Sequence, residues 1–301
     1  MVLLFLSELS SFLKIKTSSD MLVDMDSNSD KLTINLDIVL YRLPCSIVSV
    51  DAQDIMGSHS LNVHGLITKT KLDKNGVSLG SYLLEAKTGN KKSLATTSNG
   101  HSHDDVQMPN YEEVKKAILN QEGCKLEGTI QVLRVPGNFH ISTHAYGHTV
   151  TKLMSEGIFS TDLSHKINHI SFGDETDIKN IKSKFDVGIL NPIDGVEKID
   201  HVNQKIYEYY VKVVPTTYID INGQALSAHQ FTSNSNENIN KMMISTIFFR
   251  YDISPILIRI TQYKEELFHF FIQICAIVGG LFTVMGILDH LLYRLTKGKQ
   301  N

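Results

Sequence analysis

Lys31-Leu-Thr-Ile-Asn-Leu-Asp-Ile-Val-Leu-Tyr41 decides the fold class of this chain. Leu32, Ile34, Leu36, Ile38 and Leu40 alternate with Lys31, Thr33, Asn35, Asp37 and Val39. A period of two sends successive side chains to opposite faces of a pleated strand, so this stretch reads as a strand with one buried face. β-rich sequence continues through Ser46–Asp51 and Leu61–Thr70, with turns marked by Gly57 and the Asn75-Gly76 pair. Leu126–Val135, Ile206–Val214, Gln224–Thr232, Ile244–Tyr251 and Ile256–Gln262 also read as strands. Short helices are expected at Tyr111–Asn120, where Asn110 caps and Glu113 takes the capping-box place, and at Asp162–Ile170, begun by Thr161 or Asp162. No internal repeat of fixed period is visible. The expected fold is mainly β: packed antiparallel β-sheets with a few short helices.

A different kind of segment follows. Leu267 to Leu288 reads LFHFFIQICAIVGGLFTVMGIL and contains no Lys, Arg, Asp or Glu. At ~1.5 Å rise per residue it makes a helix of roughly 33 Å, long enough to cross a bilayer core. A buried core helix is also apolar, but the length, the absence of charge and Gly279, Gly280 and Gly286 favour a transmembrane helix. Its strongly polar members, His269 and Gln273, lie near one end. Basic residues Arg294, Lys297 and Lys299 follow it, while Arg259 and Lys264 precede it with Glu265 and Glu266 in between, a bias toward a cytosolic tail. Lys297 and Lys299 are followed only by Gln300 and Asn301, a KxKxx ending. That ending is similar to the lysine-based signals by which COPI coat retrieves membrane proteins from the Golgi to the endoplasmic reticulum. The alternative is a basic anchor beside the membrane.

Composition excludes several classes. The chain has 301 residues, a formal charge of −3 and 20% charged residues, so no basic footprint for nucleic acid exists. Three cysteines include no CxxC pair, so neither a thioredoxin-type redox site nor a zinc finger is readable. Cys275 lies in the apolar helix. Cys45 and Cys124 are either bridged, which contributes ~3–5 kcal/mol by restricting the unfolded chain, or two buried free thiols. Residues 87–109 are polar and poor in large apolar side chains, which reads as a flexible loop. Met1–Leu6, MVLLFL, is too short for a span or a signal-peptide core.

Several blocks together resemble the ERGIC/Erv family of cargo receptors that circulate between endoplasmic reticulum and Golgi. They are Leu43-Pro-Cys45 with Val50-Asp-Ala-Gln-Asp-Ile-Met-Gly57; Glu122-Gly-Cys124; Val135-Pro-Gly-Asn-Phe-His-Ile-Ser-Thr-His144; Leu163-Ser-His165 with His169-Ile-Ser-Phe-Gly173; Asn191-Pro192; Val213-Val-Pro-Thr-Thr-Tyr218; Phe249-Arg-Tyr-Asp-Ile-Ser-Pro-Ile256; and Cys275-Ala-Ile-Val-Gly-Gly-Leu-Phe-Thr-Val284. They stand in the family's order and cover nearly the whole chain. The histidine-bearing 135–144 block is most like the shorter branch, the small ERGIC subunit that partners a larger relative. The resemblance implies a luminal β-rich domain at 7–264, a transmembrane helix at 267–288 and a cytosolic tail at 289–301. It also implies that residues 1–6 are the remnant of a first transmembrane segment whose greater part is missing. The contexts Pro44-Cys45 and Gly123-Cys124 are family-like, which favours a luminal disulfide. Implied partners are a paralogous ERGIC/Erv subunit in a hetero-oligomer, luminal cargo proteins, COPI and COPII coats and the membrane; nucleic acid and cofactors are not among them.

Candidate sites remain few. His140, His144 and His148 are spaced by four, a metal-binding face on a helix. Pro136-Gly137-Asn138 before them and Ser142-Thr143 between them point instead to strand or loop and to polar surface histidines. His101, His103, Asp104 and Asp105 lie in the polar loop and read as solvated. Asp162, Ser164 and His165 are too close on one helix for triad geometry. Gly279 and Gly280, with Ala276 four residues before the latter, are either ordinary lipid-helix content or a face for a partner helix. Histidine titrates near pH ~6.5, so His140, His144, His148, His165 and His169 are a candidate pH-sensing set between neutral and more acidic compartments. Relatives are thought to bind cargo more tightly in the more acidic one. The expected function is a non-enzymatic cargo receptor or receptor subunit. The rivals are a tail-anchored cytosolic β protein and a membrane-tethered luminal enzyme or foldase.

Overall fold

The computed structural model describes residues 2–24, 31–55, 59–60, 65–85, 109–159, 162–186, 188, 190–199, 205–239 and 245–297. Along the chain run α1 (Val2–Leu13), β1 (Lys16–Val23), β2 (Lys31–Leu40), β3 (Ser49–Asp54), β4 (His59–Ser60), β5 (Gly65–Leu72), β6 (Ser78–Glu85), α2 (Tyr111–Leu119) and β7 (Gly123–Leu133). Then come β8 (Gly137–Ser142), α3 (Gly147–Ser155), β9 (His165–Phe172), α4 (Glu175–Lys184), β10 (Glu197–Lys198), β11 (Lys205–Ile219), β12 (Ala225–Ile239), β13 (Thr246–Ile253), β14 (Ile256–Tyr263) and α5 (Leu267–Lys297). Single 3₁₀ turns stand at Cys45–Ile47 and His144–Tyr146. The polar segment 87–108 lies outside the described residues.

Two compact units result. One contains residues 1–20, 217–225 and 259–301; the other contains 21–216 and 226–258. In the smaller unit α1 packs along the start of α5, with the rings of Phe12 and Phe270 4.5 Å apart. Lys16 donates to Glu265 at 3.0 Å beside them.

The larger unit is built on β2. Its alternation holds: Leu32, Ile34, Leu36, Ile38 and Leu40 are all buried. Asn35 breaks the pattern by being buried too, and its amide donates to Ser171 Oγ and to the Gly173 carbonyl, each at 3.0 Å, so its polar cost is met. β2 pairs antiparallel with β7 on one side and β9 on the other. The strand order is β4-β3-β8-β13-β11-β12-β9-β2-β7-β5-β6. Laid flat at about 4.8 Å per strand, β3 and β5 would be roughly 38 Å apart. Yet Lys69 of β5 donates to the carbonyl of Val48, next to β3, at 2.5 Å. The strip therefore folds over, and its two ends enclose one core that contains Ile34, Ile38, Leu126, Phe139, Tyr209 and Phe249.

Two expectations change. The sheet is mixed, because β11 and β13 run parallel, with Tyr210 beside Arg250 and Lys212 beside Asp252. The chain reverses through β12 and returns on the other side of β11, so two reversals restore its direction. Asp162–Ile170 is not a helix, since β9 begins at His165. Buried Leu163, Ile167 and Ile170 have helical spacing, but a register shift opposite Asp37/Ile38 inserts an extra residue in the strand. A bulge changes the phase of a strand's alternation and so imitates that spacing. Helix α2 forms as expected, with Asn110 Oδ1 accepting from the Glu112 amide at 3.1 Å. Helix α4 had a legible signal: Asp174 caps it, Glu175 and Asp177 fill its first turn, and Lys182 and Lys184 its last.

Gly128 in β7 has φ +148°, and a Cβ there would lie 1.9 Å from the Leu66 carbonyl oxygen of the neighbouring strand. Backbone cannot yield as a side chain does. Gly128→Ala is expected to destabilise the larger unit by more than about 3 kcal/mol or prevent its folding, read as a lost or strongly lowered melting transition.

Candidate functional site

The blocks quoted from the sequence assemble in space. The 50–57 block supplies β3, the 135–144 block supplies β8 and the 249–256 block supplies most of β13, and these three strands are neighbours. Asp51 sits opposite His140, which sits opposite Phe248.

A buried polar cluster lies where this sheet meets β5 and β7. Cys45 and Cys124, both in the core, are joined by an S–S bond of 2.00 Å that closes a sequence separation of 79. Lys69, 2% exposed, donates to the Val48 carbonyl at 2.5 Å and approaches that of Cys45 at 3.5 Å. Burial pushes its ammonium down to about 8, opposed in part by the charge of Asp51. It therefore remains a cation at neutral and acidic pH. Asp51 accepts from Ser49 Oγ at 3.0 Å, and Ser49 also meets the Ser142 hydroxyl at 3.2 Å. His140 Nε2 stands 3.8 Å from Asp51 Oδ2, and its Nδ1 is 3.3 Å from Asn138 Oδ1. Lys69 and Asp51 were missed in the sequence. The available signal was a lysine on the inward phase of β5, two residues after buried Ile67.

The five histidines do not form one surface. His140 is buried on β8, not a surface residue as its neighbours suggested. His144 and His148 are exposed, one opening the 3₁₀ turn and the other in the first turn of α3. His165 is fully buried. Its Nδ1 lies 2.8 Å from the Leu163 carbonyl, which can only accept, so Nδ1 carries the proton. Nε2 then accepts from the Tyr209 hydroxyl at 2.7 Å. Burial pushes its pKa down to about 4, so it stays neutral near pH 6–7 and does not belong in the pH-sensing set. His169, beyond the bulge on the same strand, is half-exposed.

Two enzyme-like constellations resolve structurally. Ser164 donates to Asp162 Oδ1 at 2.6 Å, but His165 turns away to Leu163 and Tyr209. His169 has the connectivity of a hydrolase triad, with Nδ1 2.8 Å from Asp194 Oδ2 and Nε2 3.0 Å from Ser171 Oγ. Ser171 is 1% exposed and its oxygen also accepts from Asn35, so no substrate carbonyl can reach it. Among the described residues no group of three His, Cys, Asp or Glu side chains could hold a metal ion.

Helix α5 is the other functional element. Leu267–Arg294 is long and apolar enough to cross a membrane, with mean hydropathy 2.2 in its most apolar window and none of that window buried. Phe268 is 80% exposed and Phe282 73%. A water-soluble protein does not display so continuous an apolar surface. Ala276, Gly279 and Gly280 are exposed, and a Cβ added to either glycine meets nothing within 4 Å. Lys297 ends the helix, while Lys299 lies outside the described residues.

With this geometry in hand, comparisons with known proteins define the class. Residues 91–289 match the family described as Endoplasmic reticulum vesicle transporter, and residues 1–61 match that described as Endoplasmic Reticulum-Golgi Intermediate Compartment (ERGIC). The chain belongs to the endoplasmic reticulum vesicle transporter family. It is similar to endoplasmic reticulum-Golgi intermediate compartment protein 1 of Xenopus laevis, 29% identical, with 96% of this chain and 82% of the relative aligned. It is similar to probable protein 3 of that name in Dictyostelium discoideum, 28% identical over 99% and 88% of the two chains. Human protein 2 is 28% identical over 96% and 77%. The crystal structure of Erv41p shares the fold, with a TM-score of 0.52 at 20% identity over 80% of this chain and 99% of that one. The chain is thus a membrane protein of endoplasmic reticulum–Golgi transport, at home in the endoplasmic reticulum, the intermediate compartment and the Golgi.

His165 and half-buried His229, which desolvation likewise pushes to about 4, make stability depend on pH. Between pH 6.5 and 4 the unfolded chain binds protons that the folded chain refuses, so stability is full above about 6.5 and falls as pH drops through that window. The loss approaches on the order of 3 kcal/mol for each group by pH 4. The melting temperature of the detergent-solubilised protein is expected to fall steadily from pH 6.5 to 5. His165→Gln should melt lower at pH 7 but with a shallower pH slope.

Proposed function

We propose that this chain is a non-enzymatic cargo receptor, or a subunit of one, cycling between endoplasmic reticulum and Golgi. Its β-rich unit faces the lumen and binds cargo proteins or a paralogous ERGIC/Erv subunit. The end of α5 faces the cytosol and engages COPI and COPII coats. The observation that carries this reading is the pairing of a buried disulfide, which persists in oxidising compartments, with an apolar helix that ends in basic residues. Exposed Ala276, Gly279 and Gly280 suit close approach of a partner's membrane helix. The relatives' names place those proteins in the intermediate compartment, which supports the same itinerary here.

Two rivals are weaker. A cytosolic, tail-anchored β protein would keep Cys45 and Cys124 reduced, against the bond between them. A luminal enzyme needs a reachable nucleophile, and the one triad-like chain among the described residues ends on a buried serine that Asn35 already engages.

Replacing Lys297 and Lys299 with Ser is expected to shift most of the protein from early compartments to later ones in cells lacking the partner subunit, seen by imaging. An unchanged early distribution removes the tail from the mechanism. Mass mapping of protein taken from native membranes under non-reducing conditions should find Cys45 joined to Cys124. Two free thiols there favour the cytosolic rival.

A further inference from the structure

A groove of about 390 Å³ opens on the outer face of the central strands. Tyr210 and Lys212 of β11, Arg250 and Asp252 of β13, and Thr232 and Asn234 of β12 line it. Strand β11 lies between the other two, and the parallel register sets Tyr210 beside Arg250 and Lys212 beside Asp252. Glu208, one step back on the same face, fixes part of the surface. It accepts from Arg250 Nε at 3.0 Å and Nη2 at 2.8 Å, and from the Tyr210 hydroxyl at 3.1 Å. Tyr210 is held by its tip with the ring 45% exposed. The side chains of Lys212, Asp252 and Asn234 make no hydrogen bond or ion pair among the described residues.

This chemistry selects against charged ligands and against strand-like peptides. Two cations, Arg250 and Lys212, balance two anions, Glu208 and Asp252, so the groove offers no net field to an acidic or basic chain. Both sides of β11 are already paired, so there is no free edge to which a peptide backbone can add. What remains is an aromatic face beside free donors and acceptors in equal supply. A pyranose matches that set: its C–H face stacks on a tyrosine ring, and its hydroxyls both donate to Asp252 and accept from Lys212, while the Asn234 amide does either. The chain carries no Asn-X-Ser/Thr acceptor sequence anywhere, so it has no N-glycan of its own to fill the groove.

We propose that the groove over β11, β12 and β13 is a saccharide-binding site that takes a neutral, mannose-type glycan carried by another glycoprotein. The proposal rests on the luminal placement argued above and gives that receptor a ligand class. The test uses the full chain in detergent with its disulfide intact and a free oligomannose glycan as probe, with binding followed by calorimetry. Saturable binding is expected, weakened at least tenfold in Tyr210→Ala and Asp252→Asn and kept in Tyr210→Phe, which retains the ring. Melting curves check that the variants fold. Should Tyr210→Ala not fold, Lys212→Met, at an exposed position with no partner to lose, takes its place. No binding by the unaltered chain overturns the proposal, as does binding that survives these changes. Equal capture of a glycoprotein and its enzymatically deglycosylated form means peptide recognition and overturns it too. Either failure, with tail-dependent cycling intact in cells, removes the glycan site and leaves the transport reading standing.

Discussion

The clamp between the 3₁₀ turn at Cys45–Ile47 and strands β5 and β7 is the contact on which the larger unit depends. A strip of strands has two ends, and hydrogen bonds between neighbours cannot by themselves decide where those ends go. Here the Cys45–Cys124 bond and the Lys69 ammonium on the Val48 carbonyl bring one end over the other. Phe139, Phe249 and Tyr209, stacked with ring centroids 4.6 and 4.9 Å apart, then face a closed core instead of water. A lysine buried this deeply is tolerated because backbone carbonyls and the Asp51 charge surround it.

The same buried groups bring together, among the described residues, the ingredients of a hydrolase triad in places no substrate reaches. Asp51, His140, Ser49 and Ser142 lie together, and so do Asp194, His169 and Ser171. In each set the potential nucleophile is sealed inside the sheet and committed to hydrogen bonds. A transport protein needs a rigid frame and recognition surfaces, and the buried polar networks serve the frame. The surfaces left open are the outer faces of the strands and α5. The exposed apolar length of α5 has meaning only in lipid or against another helix.

Much was legible in the chain itself. The β2 alternation, the Asn110 cap and the Asn75-Gly76 turn, where Gly76 has φ +82°, are local properties in which sequence period and backbone preference agree. The apolar run of α5 is equally local. So is membership of the transport family, whose model matches residues 91–289 of the chain directly. The errors arose where local and global signals separated: the bulge in β9 imitated a helix, and a strand returning past β12 made a parallel neighbour that no local pattern encodes.

What the sequence by itself determined was the inventory: strands, one lipid-compatible helix, two cysteines outside it, five clustered histidines and a basic tail. Each follows from composition and period along a single stretch of chain. What only the tertiary structure decided was the fate of those groups. Folding put His165 in the core with Tyr209 and left His144 exposed, although the two look alike in sequence. It joined Cys45 to Cys124, buried Lys69 and aligned Tyr210, Lys212, Arg250 and Asp252 into one groove. Burial and proximity depend on which distant strands become neighbours. That is set by the closure of the whole sheet and not by any segment alone.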